Sequence, residues 1–221
     1  MTVPSYNVTS GHPRVFFRAS EKTALTARTN DTSGWKTQWD GDITTDANTF
    51  KAQADSVIGA TSNPHLRWMV LALYGYIEET GRPVNGYKDK AIKAAMWLAN
   101  ANPPNPSNAY ERYILIGLAL VFDICFDDMT TAEKDFIAAE ILTVGANMSN
   151  NPVERMHGWS GNDMMCALAG GFAVHGYSTF ATQAQQLVDK ALNFMYATGT
   201  GANAGRLELA RYQYAGGGAE K

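Results

Sequence analysis

The chain has 221 residues, 45 % of them hydrophobic and 18 % charged, which excludes the disordered and collagen-like classes and leaves enough material for one large core. Lysine and arginine total 18 against 21 aspartates and glutamates, so the formal charge is −3 and offers no general attraction to nucleic acid or to an anionic membrane. The longest apolar stretch, residues 114–125, contains Asp123 and falls short of the roughly 20 residues a membrane span requires.

Residues 1–19 read as an extended lead that includes His12-Pro13-Arg14-Val15-Phe16-Phe17, and its first residues lack the basic and apolar regions of a signal peptide. Ser20 and Glu21 open a first helix that runs to Arg28. A polar stretch with Trp35 and Trp39 follows, then a helix over 45–58. Asn63-Pro64 opens a stronger helix that reaches Glu79 and is stopped by Gly81. Further helices are predicted over 86–101, 108–126, 131–148, 160–175 and 179–197, separated by short clusters of Gly, Pro, Asn and Asp as in antiparallel hairpins. No segment ahead of 198 alternates with period two, so strands are not expected there.

These helices fall into two alternating sets. Residues 66–77, 113–125 and 164–174 are apolar nearly all round, whereas 87–98, 132–144 and 181–195 are amphipathic with charged faces. The cores Leu71-Ala72-Leu73, Leu118-Ala119-Leu120 and Leu168-Ala169 recur at about 47–50 residues. A rod that is hydrophobic on every side belongs inside, and its amphipathic partner outside. Stacked pairs of this kind make an α-solenoid or, if the array curves shut, an α/α toroid, and the all-round apolar inner set favours the toroid. The expected fold is therefore all-α: an incomplete α/α toroid of antiparallel inner and outer helix pairs over 20–198. Residues 199–221 are read as the glycine-rich end of a truncated domain.

The inner helices should point their N-termini toward one end, where His65 and Arg67, then Tyr110, Glu111 and Arg112, then His157, Trp159 and Asn162 would gather. Each helix start carries partial positive charge and unsatisfied N–H groups, so three converging starts make an anion-friendly cleft. Trp159 or Tyr110 beside it suits stacking against a sugar ring. His175 reads as a cap on the dipole at the far end, where Asp123, Asp127 and Asp128 also lie. Cys125 and Cys166 read as buried free thiols, and no His, Cys or carboxylate spacing suggests a metal; no cofactor is expected.

His12-Pro13-Arg14-Val15-Phe16-Phe17 followed by a helix resembles the opening of heparinase II/III-type polysaccharide lyases and their alginate-lyase relatives. Leu71-Ala72-Leu73-Tyr74-Gly75-Tyr76, Thr80-Gly81 and Tyr87-Lys88-Asp89-Lys90-Ala91-Ile92 are similar to a helix pair of that family. So is the run from Arg112 through Leu118-Ala119-Leu120-Val121-Phe122-Asp123, with Asp128-Met129-Thr130 and Glu133 leading the next helix. Gly216-Gly217-Gly218-Ala219-Glu220 resembles the glycine-rich turn ahead of a tyrosine-bearing segment in such enzymes.

The resemblance implies β-elimination on a uronic-acid-containing polysaccharide. His157 and Asn162 correspond to the pair that neutralises the substrate carboxylate, and Arg112 to a substrate-contacting arginine; Met156 stands before His157, where relatives commonly carry Asn. Tyr212 and Tyr214 are the candidates for the tyrosine that moves the proton. Tyr110, Trp159, His65 and Arg67 complete the expected substrate contacts. The resemblance further implies a β-sandwich domain after residue 221, a periplasmic or secreted location, and an acidic polysaccharide rather than nucleic acid or membrane as partner. Two alternatives stay open. One is a glycoside hydrolase on the same scaffold, for which Asp163, Glu208 and Glu220 are the carboxylates near the cleft; the other is a non-catalytic helical-repeat module that binds carbohydrate.

Overall fold

The computed structural model describes residues 6–8, 10–31, 34–56, 64–101, 111–150 and 159–196. Three short helices come first: α1 (Lys22–Thr29), α2 (Gly34–Gln38) and α3 (Thr44–Ala52). Six longer ones follow: α4 (Pro64–Glu78), α5 (Tyr87–Ala101), α6 (Glu111–Ile124), α7 (Thr131–Asn150), α8 (Trp159–Val174) and α9 (Ala181–Tyr196). Every regular element among the described residues is helical, and the six long helices form three antiparallel pairs. The inner members α4, α6 and α8 pack side by side, and each is backed by its outer partner α5, α7 or α9.

This layering follows from the sorting of side chains. Trp68, Leu71, Leu115, Leu118, Phe122 and Met164 of the inner helices are fully buried, as are Ile92, Ile137 and Ile141 of the outer ones. Each such side chain contributes about 1.5–3 kcal/mol on leaving water, far more than the helix propensity of any single residue. Glycine sets the closest approaches. A Cβ at Gly75 of α4 would stand 2.9 Å from the backbone nitrogen of Lys88, and one at Gly171 of α8 would stand 2.6 Å from a Val188 methyl of α9.

Polar caps fix the turns between partners. The Glu79 carboxylate accepts the Tyr87 and Lys88 amides at 2.6 and 3.1 Å, satisfying the first N–H groups of α5. Thr130 and Glu133 form a reciprocal capping box at the start of α7. Arg82, in the turn between α4 and α5, holds Glu133 of α7 with two guanidinium nitrogens at 2.6 and 2.8 Å and Asp89 with its Nε at 2.9 Å. Lys88 adds a 2.6 Å bond to Asp128, so the first pair is fastened to the second. Tyr177 fastens the third pair by donating to Asp135 at 2.6 Å.

The lead is a strap across the C-terminal ends of all three inner helices. Phe17 lies on Tyr76 of α4, with ring centroids 5.4 Å apart. Asp123 of α6, 1 % exposed, accepts His12 Nδ1 at 2.7 Å and the Arg14 and Val15 amides at 2.8 Å each. The Arg14 guanidinium donates to the carbonyls of Phe172, Ala173 and His175 where α8 ends. Tyr6 continues the strap onto Phe172 and donates to Asp189 of α9 at 2.9 Å. Arg14 is therefore the cap on the α8 dipole, and the His175 ring instead bonds Gln185 through Nε2 at 2.9 Å.

Two local expectations differ from the fold. The polar stretch around Trp39 is helical: α2 passes through a π-helical turn, Trp39–Ile43, directly into α3. It has no apolar period, and Trp39 supplies its anchor by stacking on Tyr74 at 5.6 Å. α3 stops at Ala52 rather than running to 58, because Gln53 turns extended (φ −79, ψ 157).

Candidate functional site

Because the strap collects the C-terminal ends of α4, α6 and α8, their N-terminal ends lie together at the opposite end. The helices have 15, 14 and 16 residues and so are of nearly equal length. His65 and Arg67 fall in the first turn of α4, Glu111 and Arg112 in that of α6, and Trp159, Asn162 and Asp163 in or beside that of α8. The spacing thus places the backbone positions of His65, Arg67, Arg112, Trp159 and Asn162 at one end of the array, away from Asp123. His157, Tyr110, Tyr212 and Tyr214 lie outside the described residues, as do Glu208, Glu220 and the stretch 199–221.

In sequence, the starts of the three inner helices carry Arg67 and Arg112 together with Glu111 and Asp163. Each helix start adds the partial positive charge of its first N–H groups. Such an end holds an anionic oxygen by directed hydrogen bonds rather than by a long-range field.

Arg67 is engaged with its own protein. Its Nη1 donates to Gln53 Oε1 at 2.8 Å, and its guanidinium lies over the Phe50 ring at 5.1 Å, which locks α3 against the first turn of α4. Beside it, the fully buried Trp68 has an indole N–H with no acceptor among the described residues. A buried donor left in that state costs about 1–3 kcal/mol. The Cys125 thiol is fully buried, and burial pushes its ionisation well above the ordinary value, so it is inert packing; Cys166 is also a free thiol, partly buried on α8.

Further down the inner helices, away from the first turns, half-buried apolar side chains recur at helical spacing: Met69 and Leu73 on α4, Ile116 on α6, Leu168 on α8. Tyr113 of α6 and Met165 of α8 are exposed outright. Among the described residues there is no group of three His, Cys, Asp or Glu side chains able to hold a metal, and no helix is long and apolar enough to cross a membrane. No family model matches the chain, and no curated protein does either.

Proposed function

We propose that this chain is the helical domain of a polysaccharide lyase that cleaves a uronic-acid-containing polysaccharide by β-elimination, its helix pairs forming part of an α/α toroid. The observation that carries this reading is the shared orientation of α4, α6 and α8, which gathers His65, Arg112, Trp159 and Asn162 at one end while the strap occupies the other. An acidic sugar needs several donors and an aromatic side chain near one carboxylate, and residues of those types stand in these helix starts.

In this mechanism Asn162 and His157 hydrogen-bond the substrate carboxylate, so that the charge developing as the C5 proton leaves is delocalised onto oxygens that already have donors. Arg112 holds the chain, with Tyr110, Trp159 and His65 flanking it. Tyr212 or Tyr214 takes the C5 proton and protonates the departing C4 oxygen. The C5–H and C4–O bonds break, a C4–C5 double bond forms, and no water is consumed. A periplasmic or secreted location and a following β-sandwich domain belong to the same reading.

The test is incubation of the full-length protein with alginate, heparan sulfate and hyaluronan while following the absorbance of the unsaturated uronate. New reducing ends without that chromophore would mean hydrolysis and would overturn the proposal. A non-catalytic carbohydrate-binding role is the second reading, favoured by the exposed ring of Tyr113; saturable binding with no bond cleavage would decide for it.

A further inference from the structure

The three helix pairs are built on fully buried side chains, whereas the short helices laid against them are not. Among the described residues of α1, α2, the π-helical turn and α3, Ala47 is the one fully buried side chain. Phe50 packs half-buried against the core. Bonds inside this layer are short-range. The Asn30 amide donates to the Thr26 carbonyl at 3.0 Å, the Thr44 hydroxyl to the Trp39 carbonyl at 2.9 Å, and the Thr49 hydroxyl to the Thr45 carbonyl at 2.8 Å.

The contacts that tie the layer down go to α4 and α5, through rings and single polar bonds. Lys22 Nζ stands 4.6 Å from the centre of the Tyr76 ring, and Trp39 stacks on Tyr74. Lys51 Nζ stands 4.1 Å from the centre of the Tyr87 ring, whose hydroxyl donates to Asn48 at 2.8 Å. Where α3 ends, Gln53 accepts Arg67 and the guanidinium covers Phe50. The chain is held on either side of the layer, by the strap's bonds to buried Asp123 before it and by the Asp55–Lys90 ion pair, at 2.7 Å, after it. A segment with few buried apolar side chains and ties near the surface opens at a lower free energy than the whole molecule.

We propose that α1 to α3 form a flap that detaches as one unit while the strap and the three helix pairs stay folded, and that the Arg67–Gln53 bond is its latch. The continuity of α2, the π-helical turn and α3 makes it a unit, since Trp39 leaving Tyr74 pulls directly on α3. Opening draws Phe50 off the Arg67 guanidinium and returns Arg67 from Gln53 to solvent. Any contact that Arg67 makes elsewhere at the first turn of α4 therefore competes with closure.

The test is native-state hydrogen exchange on the whole 221-residue chain, resolved by peptide. The hydrogen-bonded amides of α1 and α3 are expected to share one protection factor, about 100-fold or more below that of Leu118–Phe122 in α6, with a shallower dependence on urea. Gln53→Ala should speed exchange in α1 and α3 alike by about fivefold. Gln53→Glu gives Arg67 a charged acceptor and should slow it by about threefold. Exchange in α6 and α8 should stay unchanged in both variants. If Gln53→Ala lowers protection throughout the chain, Lys51→Ala replaces it, with the same local gain expected. Protection in α1 and α3 equal to that of α6 would mean one cooperative unit and overturns the flap. Different protection factors in α1 and α3 would mean independent fraying and overturn it as well. Exchange in α3 that neither Gln53 variant moves overturns the latch.

Discussion

The backbone amide of Arg14 donates to the Asp123 carboxylate at 2.8 Å, while the Arg14 guanidinium donates to the last carbonyls of α8. One strap residue thus serves two inner helices with two different groups. Asp123 is almost fully buried and accepts three donors, so replacing it leaves His12 Nδ1 and two amides without an acceptor. Asp123→Ala is expected to lower the unfolding free energy by about 3–5 kcal/mol, the range for breaking a buried pair. Asp123→Asn should cost about 1–3 kcal/mol, since an amide has one acceptor oxygen and turns a donor toward other donors. Arg14→Lys should fall between the native chain and Arg14→Ala, because an ammonium cannot fork across three carbonyls. Urea unfolding of the four variants gives the ranking.

Helix contacts at glycine predict an asymmetry between buried and open positions. Gly75→Ala would push a methyl to 2.9 Å from the Lys88 backbone nitrogen, and Gly171→Ala to 2.6 Å from a Val188 methyl. Each is expected to cost about 1–3 kcal/mol through overpacking, with Gly75 the worse because backbone yields less than a methyl. Gly41, whose added Cβ would meet nothing within 4 Å, is the control. Gly41→Ala should leave the melting temperature unchanged or raise it slightly, by restricting the unfolded chain.

Acid should loosen the joint between the first and second helix pairs. The hydrogen bond from Arg82 holds the Glu133 carboxyl below its ordinary value of 4.5, against the opposing effect of burial and with help from Thr130. Burial by itself pushes the Asp89 carboxyl up, but Lys93, the Asn85 amide and Arg82 outweigh it and bring it below the ordinary 3.8. Both groups bind fewer protons folded than unfolded. The stability they confer is complete above their ordinary values and disappears as pH falls through the lowered folded ones. Arg82→Met should therefore be less stable than the native chain at neutral pH, and the two stability curves should draw together in acid as both carboxylates protonate. Thermal melts across that range measure it.

Within the proposed lyase mechanism, His157→Ala or Asn162→Ala in the full-length enzyme should lower kcat by about 100- to 1000-fold, the effect of deleting one donor to a developing oxyanion. Arg112→Ala should act chiefly on KM, because it removes a contact made equally in ground and transition states. Steady-state kinetics on the best uronan separate the two patterns.

Helical period made α4 to α9 legible to within a few residues, and the alternation of all-round apolar with amphipathic segments identified which helices are inside. It could not reveal α2 or the π-helical turn, whose stability comes from one stacked indole rather than from a repeating face. Nor did it disclose the strap. Nothing local in His12-Pro13-Arg14 indicates that its partners are Asp123 and the end of α8; those contacts follow from tertiary assembly alone. At the candidate site, the period was enough to bring Arg112 and Asn162 to the same end. It could not tell that Arg67 turns to Gln53, because that bond depends on where α3 stops.

The strap also imposes an order on assembly. The carbonyl of Phe172 that Arg14 caps is made 158 residues after it. Until then the lead has no place to settle, and the earlier helix pairs must hold together without their terminal clasp. Once it closes, peeling off the third pair means releasing the lead as well, so a stack that could fray from one side becomes a loop that opens only as a whole.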